Sequence, residues 1–275
     1  MGVILGIDIG TSATKVVGLQ EDGTLLGVRR VRAEDQKTSL YGAMGSFLDD
    51  SGLLLGDVQQ VALTGVGASW SEGDVFGIPT CRVEEFTASG AGGLSLAGER
   101  QGVVVTMGTG TAFLWAEQGK PVRHLCGSGI GGGTLGGLCR QMAGAERFHR
   151  IAQLAAGGDL KKVDLTVRDL ARDTAATLDP DMTAANFGNL AEDVSPADLA
   201  AGAVNLVLQA IGTMTVLACR SCATDTAILT GSVTSLSQAA ENFRLFERLY
   251  GLRCIIPEKA TFATALGAAL TAAKS

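Results

Sequence analysis

The feature that most constrains the fold is a strand–turn–strand–turn–strand unit that occurs twice. In the first copy Val3–Ile7 is a continuous apolar run, as expected of a strand buried on both faces. Gly10-Thr11-Ser12 turns the chain, Lys15–Leu19 is a second strand, Glu21-Asp22-Gly23 a second turn and Thr24–Val28 a third strand. In the second copy Gly102–Met107 leads into Gly108-Thr109-Gly110-Thr111, then Ala112–Glu117, Gln118-Gly119 and Lys120–Leu125. Both copies have turn residues where an antiparallel meander needs them. A supersecondary unit repeated in this way predicts two similar α/β domains, residues 1–98 and 99–275, with a cleft between them.

Helical and strand patterns fill the intervals. The spacing of Leu40, Ala43, Met44, Phe47 and Leu48 predicts a helix over Thr38–Leu48, and Val61–Thr64 is a strand entering Gly65-Val66-Gly67. A short strand at Cys81–Val83 precedes a helix. The second half predicts a helix over Thr134–Ala155, a polar loop over Leu178–Gly188 and a long helix after Ser195. Further on come a strand at Thr226–Leu229, a helix at Asn242–Leu249, a strand at Cys254–Ile256 and a small-residue helix at Thr261–Ala273. Leu199–Cys219 has no charged residue and the length of a membrane span. It also contains Asn205, Gln209, Thr213, Thr215 and two glycines, and Ser195-Pro196-Ala197-Asp198 is a sound helix start. These features favour a buried helix, at a domain core or a subunit interface.

Charge narrows the partners. Lys plus Arg is 22 and Asp plus Glu is 28, a net charge of −6. An acidic chain without a basic run argues against nucleic acid and anionic membrane surfaces. A small polyanion can still be held by backbone amides and a bound cation. Met1-Gly2-Val3-Ile4-Leu5 has no basic region followed by an apolar core and cleavage site, so a cytoplasmic location is expected. Gly2 runs directly into the first strand, which argues against lipidation there. Six scattered cysteines read as reduced thiols. Cys219 and Cys222 form a lone C-x-x-C, and the only histidines, His124 and His149, lie far off in sequence.

Five segments can carry chemistry. Asp8 ends a strand before Gly10, Thr11 and Ser12, whose amides can cradle phosphate oxygens. Asp8 can hold Mg²⁺ through water, and Lys15 can neutralise a transferring phosphoryl group. Gly108, Thr109, Gly110 and Thr111 form the equivalent turn of the repeat, and two such turns facing each other would clamp phosphate. Gly131, Gly132, Gly133 and Thr134 open a helix, and a helix N-terminus preceded by glycines can take an anion. Gly231 and Ser232 end a strand where a flat ligand could approach the backbone. Glu84 and Glu85 precede a helix. The pair can be a charge preference of the helix start, or one carboxylate can accept a proton from a substrate hydroxyl. Arg123 and His124 lie just before the glycine-rich loop, where an Arg could pair with a substrate carboxylate. There is no G-x-x-x-x-G-K-[ST] and no G-x-G-x-x-G after the first strand, so P-loop and dinucleotide-binding signatures are missing.

Together these loops resemble the actin/sugar-kinase/Hsp70 superfamily. Gly6–Lys15 looks like its first phosphate loop, Met107–Thr111 its second and Leu229–Val233 its adenosine loop. Thr11–Lys15, Glu85-Phe86-Thr87-Ala88, Gly108–Thr111 and Arg123–Leu138 are similar to elements of type II pantothenate kinases. The resemblance implies an α/β protein with two ribonuclease-H-like, actin-like ATPase domains around a nucleotide cleft. It implies ATP and Mg²⁺ as cofactors and phosphorylation of the primary hydroxyl of pantothenate, the first step of coenzyme A biosynthesis. It also implies Glu85 as general base, Lys15 on phosphate, Asp8 on the metal, Arg123 or His124 at the substrate carboxylate, and a homodimer. Activator ATPases of acyl-CoA dehydratases and sugar kinases of the same superfamily are the alternatives.

Overall fold

The computed structural model describes residues 2–32, 35–70, 73–170, 180 and 182–274. Two five-stranded sheets form its frame. The first contains β1 (Val3–Ile9), β2 (Ala13–Gln20), β3 (Leu25–Arg32), β4 (Val58–Thr64) and β5 (Thr80–Arg82), in the order β3-β2-β1-β4-β5. The second contains β6 (Gln101–Met107), β7 (Thr111–Glu117), β8 (Arg123–Ser128), β11 (Thr226–Thr230) and β12 (Arg253–Ile255). Its order, β8-β7-β6-β11-β12, is the same pattern. In each sheet three antiparallel strands are extended by two strands parallel to the first. The repeat expected from sequence is therefore a repeat of topology, and residue 98 lies in the chain between β5 and β6.

The apolar runs form strands because both faces of each sheet are covered. All seven residues of β1 are buried. Helix α1 (Gln36–Ser51) packs Leu40, Met44 and Phe47 against the outer face of the first sheet. Asp35 caps it by accepting from the Thr38 amide at 2.7 Å, and Gly52 ends it in the left-handed conformation at φ 64°. A Cβ on Gly18 would lie 2.4 Å from the Phe47 ring, so the strand opposite must be bare for that ring to seat.

Two helices join the halves, and they are exchanged. Helix α2 (Glu85–Ala97) follows β5 but packs Leu94 with Val104, Leu114 and Ile228 of the second sheet. Helix α8 (Ala263–Ala272) ends the chain but packs Ala265, Ala268 and Ala269 with Ile4, Val17 and Ala62 of the first sheet. Their crossing is made by glycine. A Cβ on Gly92 would lie 1.8 Å from the Ala263 carbonyl oxygen, and one on Gly267 1.7 Å from that of Ala88. Backbone meets backbone here, and no side chain fits between.

The rest of the second half departs from expectation in three places. The single helix expected over Thr134–Ala155 is two, α3 (Gly132–Ala143) and α4 (Phe148–Ala156). Gly144 ends the first at φ 61°. The third strand of the second meander is expected at Lys120–Leu125 but runs from Arg123 to Ser128, because Lys120 and Pro121 belong to the preceding turn. The expected loop over Leu178–Gly188 lies partly outside the described residues. Within it, β10 (Thr183–Ala185) pairs with β9 (Leu165–Thr166), which leads into the single turn α5 (Val167–Leu170).

Helix α6 (Pro196–Ser221) answers the membrane question. It is long and apolar enough to span a bilayer, but Ala203, Val207, Leu208 and Ile211 are buried in the core of the second half. It is a core helix, and the subunit-interface alternative is not needed to account for its composition. Asp198 at its third position accepts from the Ser195 and Asp159 amides and from the Ser195 hydroxyl. Those bonds hold its pKa down to about 2. Helix α7 (Ser237–Tyr250) closes the core with Phe243 and Phe246.

Candidate active site

The two glycine/threonine turns meet. Thr11, in the β1–β2 turn, and Thr109, in the β6–β7 turn, share a hydrogen bond between their hydroxyls at 2.8 Å. They close over a cavity of about 390 Å³ lined by Gly10, Thr11 and Ser12 on one wall and Gly108, Thr109, Gly110 and Thr111 on the other. Each turn is tied by its own backbone. The Gly10 amide donates to the Ala13 carbonyl at 3.2 Å, and the Gly108 amide to the Gly110 carbonyl at 2.8 Å.

Asp8 and Lys15 form the floor. They are register partners on β1 and β2, so their side chains share a face. The Lys15 ammonium donates to the Asp8 carboxylate at 3.0 Å, and both side chains are largely buried. Thr64 is the register partner of Asp8 on β4, and its buried hydroxyl has no partner in the structure.

The adjacent carboxylates divide two roles. Glu84 caps α2, accepting from the Phe86 amide at 2.9 Å and the Thr87 amide at 2.7 Å. Burial alone would raise its pKa. The Phe86 and Thr87 amides, the Thr87 hydroxyl and His124 outweigh that and hold it below the usual range. Glu85 is one residue on, turned about 100° around the helix, and lines the cavity. Its pKa is pushed up, first by burial and then by the negative charges of Asp8 and Glu84, with Lys15 opposing. Of the pair, Glu84 is the helix-start carboxylate, and Glu85 is the one that faces the cavity.

His124 lines the cavity and stacks on Phe86, ring centroids 4.7 Å apart and planes within 7°. Arg123 does not line it. Its guanidinium donates to the Cys222 sulfur at 3.6 Å. Of the two residues expected at this end of the loop, His124 thus faces the cavity and Arg123 lies outside its lining.

Gly231 and Ser232 line the cavity as expected. Gly231 sits at φ 92°, and a Cβ there would lie 2.4 Å from the Met107 carbonyl oxygen, so only glycine fits. The topological equivalent of β11 is β4, and it too ends in Leu-Thr-Gly. Gly65, at φ 86°, also lines the cavity, with Cβ space blocked at 2.6 Å by Asp8. Sequence reasoning missed Gly65, although the repeated Leu63-Thr64-Gly65 and Leu229-Thr230-Gly231 was a usable signal.

Gly131, Gly132, Gly133 and Thr134 are not part of the cavity wall. The Gly132 amide donates to the Gly108 carbonyl at 2.8 Å, the Gly133 amide to the Thr109 carbonyl at 2.9 Å and the Gly131 amide to the Thr134 hydroxyl at 3.3 Å. Those donors are spent on protein acceptors instead of an anion. Cβ atoms on all three glycines would come within 3.0 Å of Gly108, Thr109 or Gly110. Their glycine density serves close backbone packing, which props the second turn from behind. The Thr111 hydroxyl adds to this by donating to the Ile130 carbonyl at 2.8 Å.

The family model described as Fumble matches residues 102–243. A type II pantothenate kinase of Staphylococcus epidermidis is 28% identical over 96% of this chain and 98% of the relative. The fold is similar to that of the activator of 2-hydroxyisocaproyl-CoA dehydratase from Clostridium difficile with bound ADPNP, at 17% identity. Its TM-score is 0.71 over 99% of this chain and 94% of that one. It is also similar to a ROK family glucokinase from Streptomyces griseus in complex with glucose and AMPPNP, at 16% identity. There the TM-score is 0.64 over the whole of both chains. At these identities the two solved structures speak for the actin-like ATPase fold alone.

Proposed function

The chain belongs to the Fumble family, and from that premise and the cleft geometry we propose that it transfers the γ-phosphoryl group of ATP to the primary hydroxyl of pantothenate. The observation that carries this reading is one cavity holding both repeated turns together with the raised carboxylate of Glu85. Near-full-length likeness to type II pantothenate kinases supports the acceptor.

In this reading the amides and hydroxyls of Gly10–Ser12 and Gly108–Thr111 cradle the phosphates from opposite walls. Gly231 and Ser232 give the adenosine a flat approach to backbone. Lys15 would offset the negative charge that develops on the transferring group. Glu85 accepts the proton of the pantothenate hydroxyl as that oxygen bonds to the γ-phosphorus. The bond from the γ-phosphorus to its bridging oxygen breaks, and ADP leaves. A raised pKa suits this role, because the base must be ionised yet basic enough to take a proton. His124, held flat against Phe86, faces the acceptor end of the cleft.

The residues fit Mg²⁺. Asp8 offers a carboxylate and Thr64 an unpartnered hydroxyl on the same face, the sparse oxygen set of a cation that keeps most of its water. Asp8 would hold it, and when bound it would neutralise charge on the phosphates. A cytoplasmic homodimer completes the reading. Exposed Leu217 and Tyr250 are apolar surface open to a second copy, and sedimentation tests it.

The test is ADP release with pantothenate beside glucose and N-acetylglucosamine. Turnover with pantothenate alone is expected. Turnover only with a sugar, or ATP hydrolysis indifferent to every alcohol, contradicts the acceptor.

A further inference from the structure

Outside the cleft, one groove concentrates positive charge in an acidic chain. It has a volume of about 990 Å³ and is lined by Arg30 and Arg32 of β3, Arg140 of α3, and Arg147 and His149 at the start of α4. Arg30 and Arg32 are two apart on one strand and so share a face. The first two arginines come from one half of the chain, the others from the other half. Among the described residues Glu146 is the only acidic one in the lining, and it is engaged with Arg140 at 3.3 Å. Among the described residues, Arg30 and Arg147 have no carboxylate within ion-pair distance.

Arg30 and Arg147, neither ion-paired among the described residues, are like charges that repel each other around one opening, where Arg140 is already paired with Glu146. An anion seated among them removes that repulsion and gains charge-assisted hydrogen bonds. The volume suits a molecule of nucleotide size. The groove also reaches Ser12 and Ala13, so its inner end is the outer side of the first phosphate turn. Bridging arginines from both halves, a bound anion would pull the two walls of the cleft together.

We propose that this groove is a second anion site, which takes a phosphate-bearing small molecule distinct from the triphosphate held in the cleft. It is independent of which alcohol is phosphorylated. Inorganic pyrophosphate is the probe, titrated calorimetrically into the intact chain already saturated with a non-hydrolysable ATP analogue. The analogue's own titration, run first, reports separately whether the cleft binds nucleotide. Saturable pyrophosphate binding is expected, weakened about tenfold or more by R30Q and by R147Q. Both positions are exposed, and analogue binding by each variant verifies its fold. No pyrophosphate binding beside the analogue, or binding that neither substitution alters, overturns the site. Analogue affinity that itself falls about tenfold in R30Q and R147Q also overturns it, because the arginines would then belong to the ATP site.

Discussion

The hydroxyls of Thr11 and Thr109, 98 residues apart in sequence, lie 2.8 Å from each other across the mouth of the cleft. The two glycine/threonine turns are joined here by a hydrogen bond between exposed side chains. Such a bond contributes only about 0.5–1.5 kcal/mol, so a triphosphate can displace it and take both hydroxyls for itself. Replacing Thr109 with Val is expected to raise the KM for ATP about tenfold while leaving the thermal midpoint within a few degrees of the parent. Steady-state kinetics beside thermal unfolding checks this.

Glu85 is held in a place that disfavours its charge. Its folded pKa lies above the ordinary glutamate value, so the folded chain binds this proton more tightly than the unfolded chain. That contribution to stability is present at low pH and is lost as pH rises through the folded pKa. E85Q is therefore expected to melt higher than the parent at pH 7, and the difference should vanish below the ordinary glutamate pKa. Thermal unfolding at a series of pH values measures it. A site that is less stable than its neutral analogue is a familiar cost of catalysis.

Glu84 raises the Glu85 pKa as well as capping α2. E84Q should shift the acidic limb of the pH–rate profile to lower pH while retaining turnover at pH 7. E84A should in addition lose about 1 kcal/mol of stability with the cap. The two variants together separate charge from capping.

Asp198 gives the opposite sign. Its folded pKa is about 2 against an ordinary 3.8, so its contribution to stability is present above pH 3.8 and is lost as pH falls through about 2. D198N should lower the thermal midpoint at pH 7 and match the parent near pH 2, as read by circular dichroism.

Among the described residues the crossing of α2 and α8 leaves the least room for a side chain. Gly267→Ala would place a methyl 1.7 Å from the Ala88 carbonyl oxygen, and backbone cannot yield as a side chain can. A loss of about 3 kcal/mol or more is expected, seen as a lower denaturant midpoint with unchanged slope.

Much of this was legible in the sequence because the signals were local. Continuous apolar runs such as Val103–Val105 read as buried strands, and glycine and threonine between them read as turns. What was not legible depended on partners far along the chain. Glycine density at Gly131–Gly133 has two physical causes, room for an anion or room for backbone. The carbonyls of Gly108 and Thr109 decided for the second. Arg123 and His124 are neighbours in a strand and so face opposite ways. A register irregularity in the β7–β8 pairing, where Phe113 opposes Cys126 and Leu114 opposes His124, lies beside them. The exchange of α2 and α8 was hidden because glycines in a helix announce a close approach but not to what. Glu84 and Glu85 were separable only once the helix start was fixed, since one residue of register gives the cap to one and the cleft to the other.

The most direct test is E85Q, assayed for pantothenate-dependent ADP release and, in parallel, for nucleotide affinity. Loss of turnover by about 10²-fold or more, with an ATP-analogue Kd within about threefold of the parent, is the expected result. An E85Q chain that still phosphorylates pantothenate at near the parent rate would contradict the central claim that this carboxylate takes the acceptor's proton.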